Sequence, residues 1–285
     1  MRPPRDRGGD RDADGFRREA KKSLGQNFLH ERGVIDRILL AVDPRPGDRI
    51  VEIGPGQGAL TFPLLDRHGA LTAIEFDRDL LEPLAAAARA HGELTLLHAD
   101  VLEVDFTALA AAGDGKLRLV GNLPYYLSSP ILFHALDHAA AIRDMHFMLQ
   151  KEVVDRMAAG PGSKVYGRLS VMLQAGCAVT PLFKVAPGAF RPAPKVDSAV
   201  VRLVPRPPGA AGIADHARFA AIVRAAFGQR RKTLRNALAG LLDAAAIEAA
   251  GLRPDARAEQ VPVEGFVRLA NLPPPAGDAA PALQG

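Results

Sequence analysis

The sequence predicts an α/β fold: a parallel sheet covered on both faces by helices, followed by a small C-terminal α-helical domain. Three observations predict it. Short apolar runs at Arg49–Ile53 (RIVEI), 71–75 (LTAIE), 94–98 (LTLLH) and 117–121 (LRLVG) each stop at a small or polar residue. The segments between them carry helix-like apolar spacing, as at Leu80, Leu81, Leu84 and Ala88. Such alternation builds parallel strands joined by crossover helices. Beyond residue 212 only helical patterns remain.

Taken in order, residues 1–20 are charged, contain Gly and Pro, and read as a flexible tail. Residues 21–205 hold the sheet. Its first strand, Arg49–Ile53, feeds a glycine loop and a helix predicted over 59–67. The next three apolar runs supply three more strands, ending beside Glu75, Asp100 and Asn122. In open α/β sheets ligands sit beyond the carboxyl ends of the strands, so these ends are the candidate site. A Pro-rich stretch at 187–194 precedes a last apolar run at 198–204. The segment PRPPGAAG at 205–212 reads as a linker. Helical patterns at 219–227, 233–242 and 263–272 make a second domain over 213–272, and 273–285 read as a flexible tail.

Composition excludes several classes. The chain has 285 residues, 48% hydrophobic and 24% charged, the balance of a globular protein with a sizeable core. One cysteine, Cys177, permits neither an intramolecular disulfide nor a cysteine metal cage. It lies in an apolar stretch and reads as a small buried hydrophobe. No apolar run approaches the ~18–20 residues that span a bilayer. The N-terminus has no apolar signal core, so a cytoplasmic location is expected. His134 and His138 lack a third ligand and read as helix decoration, with no metal. The net charge of +4 is mild, so its distribution matters more than its size.

The sharpest motif is Val51-Glu52-Ile53-Gly54-Pro55-Gly56-Gln57-Gly58. Glycine lets the backbone turn sharply and lets a ligand approach closely. The spacing of Gly54, Gly56 and Gly58 is G-x-G-x-G, not the G-x-G-x-x-G of dinucleotide folds. Glu75, twenty-one residues after Gly54, can accept two hydrogen bonds from a ribose diol. Asp100 can accept a bond from an adenine amino group; alone, it would read as a helix cap. These features resemble the S-adenosylmethionine-binding half of Rossmann-like methyltransferases.

The fourth strand runs into Asn122-Leu123-Pro124-Tyr125, which resembles the [DNS]-P-P-[YF] tetrapeptide of methyltransferases that act on planar amino groups. The residue types suit that chemistry. The lone pair of an exocyclic adenine amine is delocalised into the ring. The Asn122 side-chain oxygen and a backbone carbonyl near Leu123–Pro124 can accept its two N–H bonds and aim the lone pair at a methyl donor. Pro124 fixes the local backbone. Tyr125 can stack on the base.

Seven blocks then follow a familiar order: KKSLGQNFL (21–29), GPGQGALT (54–61), NLPYYLSSP (122–130), FMLQKEVVDRM (147–157), YGRLSV (166–171), FRPAPKVDSAV (190–200) and FGQRRKTLRNAL (227–238). By these the chain resembles the bacterial small-subunit ribosomal RNA adenine N6,N6-dimethyltransferase family, over residues 21 to about 272. The resemblance implies dimethylation of two adjacent adenines near the 3′ end of 16S rRNA, in the immature 30S subunit, with S-adenosylmethionine as cofactor. It implies that Asn27, Leu29, Gly54, Glu75, Asp100 and Asn122 line the cofactor pocket, and that Asn122, Leu123, Pro124 and Tyr125 form the catalytic loop. Phe190 is its candidate for a second aromatic wall against the target base; the plainer reading is an anchor for a Pro-rich loop. Tyr126 departs from the pattern, where relatives often carry a polar residue.

From Arg218 to Arg235 there are six basic residues and no acidic one. Arg224, Arg230, Arg231, Lys232 and Arg235 form the candidate RNA contact. Arg224, Arg231 and Arg235 share a face if the helix runs on through Gly228. Phosphate binding by this patch is expected to weaken steeply with salt. Lys21, Lys22, Lys151, Arg156, Lys164 and Arg168 are lesser candidates, the last four diluted by Glu152 and Asp155. A flipped or single-stranded adenine is required, because a stacked one cannot present its amine. Nothing in the sequence calls for a dimer, and a monomer is expected. Two other functions stand beside the first: a large-subunit rRNA adenine methyltransferase, and a non-catalytic ribosome-assembly factor. The intact Glu75, Asp100 and N-L-P-Y loop argue against the latter.

Overall fold

The computed structural model describes residues 21, 26–229 and 231–273. The predicted N-terminal tail at 1–20, the predicted C-terminal tail at 273–285 apart from Pro273, Lys22 and Arg230 lie outside the described residues.

A seven-stranded sheet forms the centre. Its strands are β2 (Arg49–Ile53), β3 (Ala70–Glu75), β4 (Glu93–His98), β5 (Leu117–Asn122), β6 (Ile142–Gln150), β7 (Cys177–Val185) and β9 (Ser198–Pro205). Their order across the sheet is β4-β3-β2-β5-β6-β9-β7. The first five are parallel; β9 runs antiparallel to both β6 and β7. Two short strands, β1 (Phe28–Leu29) and β8 (Phe190–Arg191), pair separately. The chain moves outward from β2 to β4 and returns to β5 on the other side of β2. The switch point therefore lies between the ends of β2 and β5, where a ligand cleft is expected.

Helices α1 (Arg32–Val42), α2 (Thr61–His68), α3 (Arg78–Ala88), α4 (Phe106–Ala111), α5 (Ser128–Asp137), α6 (Lys151–Ala158) and α7 (Arg168–Gly176) accompany the sheet. Two apolar clusters form with its strands. One holds Val51, Leu119, Phe106, Ile131 and Phe147; the other holds Ile50, Leu71, Leu39, Leu65 and Leu84. Strand burial on both sides explains the unbroken apolar runs in the sequence.

Strands β6 and β7 were not among the four predicted. β6 carries Arg143, Asp144 and His146 within an apolar run, which masks its period. The structure accounts for the buried charge. Arg118 of β5 donates from Nε and Nη2 to Asp144, both at 2.9 Å, and from Nη1 to Asp48 at 2.6 Å. Its Nη2 also donates to the Val42 carbonyl at the end of α1 at 2.6 Å. One guanidinium thus ties α1, the start of β2, β5 and β6 together.

The C-terminal helices are α8 (His216–Gly228), α9 (Leu234–Ala237), α10 (Ala244–Ala249) and α11 (Val263–Asn271). The helix predicted over 233–242 is corrected to the four residues of α9, followed by a turn at Gly240 with φ +88°. Gly240 ends what the apolar spacing of Leu234, Leu238 and Leu242 suggested. These helices share one core with the sheet-bearing part: Phe219, Leu234, Ile247 and Phe266 pack with Tyr166, Val171 and Ala175. The Tyr166 hydroxyl donates to the Val261 carbonyl at 2.9 Å. No helix among the described residues is long and apolar enough to cross a membrane.

Removing Arg118 takes from buried Asp144 its two guanidinium bonds, while Asp48 keeps Arg143 at 2.7 Å. Arg118→Ala is expected to lower stability by about 3–5 kcal/mol, read from urea unfolding at neutral pH. A loss below about 1 kcal/mol would show that the network is incidental.

Candidate active site

A cavity of about 270 Å³ opens at the switch point. Four strand ends and one strap supply its walls: Ile53, Gly54 and Gly56 after β2; Glu75 and Phe76 after β3; Ala99, Asp100 and Val101 after β4; Asn122 to Leu127 after β5; and Gln26, Asn27 and Phe28 from the N-terminal side.

The glycine loop has the backbone that only glycine takes easily. Gly54 has φ +68°, and a Cβ there would point into open space, with no atom within 4 Å. The missing side chain is thus part of the cavity. Gly58, in contrast, does not line it. At φ +84° it turns the chain into α2, and a Cβ would strike the Phe62 ring at 2.4 Å. Its role is corrected from cofactor contact to loop closure.

Glu75 is 7% exposed. It accepts the Gly56 N–H at 3.2 Å and the Asp77 N–H at 2.7 Å. Burial raises its pKa; the two N–H bonds oppose that. A carboxylate accepts about four bonds, so capacity for a diol remains. Asp100 caps the turn that follows it, accepting the Leu102 N–H at 2.9 Å, and also lines the cavity. The capping reading of Asp100 is therefore observed, and its place in the cavity wall leaves its other carboxylate oxygen free of any hydrogen bond among the described residues.

The strap is fastened at both ends. Lys21 Nζ bonds Asp77 at 2.6 Å and Asp79 at 2.8 Å. Gln26 Nε2 donates to Asp77 at 3.1 Å. Asn122 Nδ2 donates to the Asn27 carbonyl at 2.9 Å. The Asn122 amide is therefore oriented with its nitrogen on the strap and its oxygen left as an acceptor. Leu29 does not line the cavity. It is 5% exposed in the apolar cluster and pairs with Phe190 across β1 and β8.

Past Asn122 the chain turns sharply. Gly121 is required because a Cβ there would meet the Ile53 carbonyl at 2.5 Å. The Pro124 carbonyl accepts the Leu127 N–H at 3.0 Å and the Ser128 hydroxyl at 3.3 Å. That leaves the Leu123 carbonyl as the backbone acceptor beside Asn122. Tyr125 is half-buried, with its hydroxyl 2.7 Å from Ser198 Oγ. Phe190 is not a wall of this cavity. It is 3% exposed in the core, held there by the pairing of β1 with β8. This corrects the aromatic-wall reading in favour of an anchor.

Residues 17–273 match the family described as "Ribosomal RNA adenine dimethylase". The chain belongs to the ribosomal RNA adenine dimethylase family. Relatives named "Ribosomal RNA small subunit methyltransferase A" from Xanthomonas campestris pv. campestris and Xanthomonas oryzae pv. oryzae are each 71% identical. The match to the first covers 90% of this chain and 97% of the relative; that to the second covers 91% and 98%. The crystal structure of 23S rRNA methyltransferase ErmE is 28% identical, with TM-score 0.66 over 86% of this chain and 98% of that one. A dimethyladenosine transferase from Plasmodium falciparum shares the fold at TM-score 0.73, with 23% identity over 85% of this chain and 95% of that one. The fold is that of the S-adenosylmethionine-dependent methyltransferases.

In this dimethylase the predicted basic residues do not share a helix face. α8 ends at Gly228, so Arg224 lies on it, Arg231 and Lys232 in the following turn, and Arg235 on α9. All four are exposed. Lys21 is held by Asp77 and Asp79, Lys151 pairs with Asp155, and Arg156 with Glu152. These pairs remove three of the lesser candidates from an open basic surface. Cys177 is buried, which pushes its thiol up to about 12. No group of three potential metal ligands occurs among the described residues.

The sequence reading missed Gln26, Phe28, Phe76 and Glu52. Phe76 is a large aromatic between two acids, a signal that was available. Glu52 is 1% exposed behind the glycine loop and accepts the Thr61 hydroxyl at 2.7 Å. Burial pushes its carboxyl up to about 8, Thr61 opposes, and Glu75 adds to the rise. From about 4.5 to 8 the folded state thus holds a proton that the unfolded chain has released. Stability must fall as pH rises through that window, by at most about 1.4 kcal/mol per pH unit. Glu52→Gln removes this contribution. Its stability relative to the parent is expected to climb between those pH values and level off above them, in urea unfolding at stepped pH. A constant difference would contradict the assignment.

Proposed function

We propose that this chain transfers methyl groups from S-adenosylmethionine to N6 of two adjacent adenines near the 3′ end of 16S rRNA, acting as a monomer on the immature small subunit. The observation that carries the reading is one cavity that joins two kinds of wall. A glycine cradle with two strand-end acids lies on one side, and two carbonyl acceptors, on Asn122 and Leu123, lie on the other.

The residues fit the cofactor. Open space at Gly54 leaves room for the chain of a nucleoside derivative, Glu75 is placed for a ribose diol, and Asp100 for an adenine amine. When bound, S-adenosylmethionine supplies an electrophilic methyl on its sulfonium. The protein does the rest by placement. Asn122 Oδ1 and the Leu123 carbonyl accept the two N–H bonds of the target amine. That pulls electron density toward nitrogen, aims its lone pair, and stabilises the positive charge that develops there. Tyr125 packs on the flipped base, its ring fixed by the bond to Ser198. Asn27 holds Asn122 in the required rotamer. The alkylated amine is acidic and loses its proton to water, so no shifted general base is needed. Exposed Arg224, Arg231, Lys232 and Arg235, with Arg230, supply phosphate contacts.

A second reading, methylation of large-subunit RNA, is favoured only by the likeness to ErmE. The small-subunit relatives are far more similar. Methyl transfer from labelled cofactor to unmodified small subunits, with large subunits in parallel and mass mapping of the product, separates the readings. N6,N6-dimethyladenosine at adjacent adenines of 16S rRNA is the expected result. Label only in large-subunit RNA would overturn the proposed substrate. Tight particle binding without any label would leave a docking factor.

A further inference from the structure

Two large aromatic side chains stand exposed at the mouth of the cavity: Phe76, 60% exposed, and Tyr126, 58% exposed. Leaving such rings in water forgoes burial that aromatic side chains normally obtain. Their surroundings differ. Phe76 lies between Glu75 and Asp77, carboxylates that would repel a phosphate chain. It belongs to the cofactor end.

Tyr126 lies at the other end, in the turn Tyr125–Leu127. Three residues per turn separate neighbouring side chains by about 120°, so Tyr126 cannot follow Tyr125 inward. Tyr125 is tied to Ser198, and the turn is pinned by two bonds to the Pro124 carbonyl. Tyr126 is thus projected from a rigid base. Its hydroxyl has no partner among the described residues, so no internal bond explains its position.

The segment 191–198, which runs from the partner of Phe28 to the partner of Tyr125, carries two basic residues and one acid, Asp197, which is paired with Lys184 at 2.8 Å. Arg191 pairs in register with Phe28, a wall of the cavity. The segment from Arg191 ends at Ser198, the residue that holds Tyr125. Between these anchors Arg191 and Lys195 are exposed, and neither has an ion pair among the described residues. Exposed aromatic, rigid base and flanking cations are the parts of a single-strand nucleic-acid platform.

We propose that Tyr126 is a stacking subsite for the purine next to the target adenine, with Arg191 and Lys195 holding the phosphates that flank it. This rests on the RNA-methyltransferase reading above and adds a second base-binding position to it. One adenine enters the cavity while its neighbour is held on Tyr126. The base that waits is then already aligned for the next transfer.

The test compares the parent with Tyr126→Ala and Tyr126→Phe on unmodified small subunits, alongside cofactor affinity by titration calorimetry. Loss of one base–aromatic stack should raise the particle KM about tenfold in Tyr126→Ala. Tyr126→Phe keeps the ring and should stay within about twofold of the parent. Cofactor affinity should be unchanged in both. An unchanged KM in Tyr126→Ala, or an equal rise in both variants, would overturn the subsite. So would a fall in cofactor affinity matching the rise in KM, which would make Tyr126 a cofactor wall. If the parent itself fails to label small subunits, the functional reading falls, and the subsite with it, before the variants are compared.

Discussion

Two backbone N–H groups converge on the Glu75 carboxylate, and the cavity is organised around that convergence. Gly56 brings the glycine loop, and Asp77 brings the turn after β3. Asp77 in turn holds Lys21 and Gln26, and Asn122 holds the Asn27 carbonyl, so the N-terminal wall of the cavity is tied to two strand ends. Hydrogen bonds therefore link Glu75 through Asp77 to Gln26, and Asn27 next to it to Asn122. Burial raises the pKa of Glu75, while the donated N–H bonds favour its charged form. Glu52, close behind and held neutral to about 8, spares Glu75 a second buried negative charge at neutral pH.

The two ends of the sheet divide the work. Arg118, Asp144 and Asp48 lock β5, β6 and the start of β2 away from the cavity. At the opposite ends the same strands deliver Gly54 and Asn122 at the switch point. Fixed strand registers thus set Gly54 and Asn122 on the walls of one cavity. Orientation is what a weakly nucleophilic amine needs most. The shared core of α8–α11 with Tyr166 and Val171 fixes the basic exposed surface to this frame.

Much of this was legible in the sequence, for physical reasons. Strands β2, β3 and β5 announced themselves because both of their faces are buried, and the edge strand β4 by its apolar run alone. Gly54, Glu75, Asp100 and Asn122 were legible because each sits at a strand end, where backbone direction forces residues into the cleft. Strand β6 was hidden because its buried Asp144 is satisfied by a partner twenty-six positions away, at Arg118. Gly58 was placed at the site by the glycine spacing, and Leu29 and Phe190 by resemblance, whereas steric fit and strand pairing put them in the loop and the core. Arg224, Arg231 and Arg235 shared a face only if the helix ran on through Gly228, and it ends there. Glu52 carries no local signal, since its role depends on burial.

The central claim is that the cofactor cradle and the amine acceptors are separate devices in one cavity. Asn122→Ala tests it most directly, with methyl transfer and S-adenosylmethionine affinity measured on the same preparation. The account predicts a loss of at least about a hundredfold in turnover, with cofactor affinity within about tenfold of the parent. Unchanged turnover, or a loss of affinity as large as the loss of turnover, would contradict it.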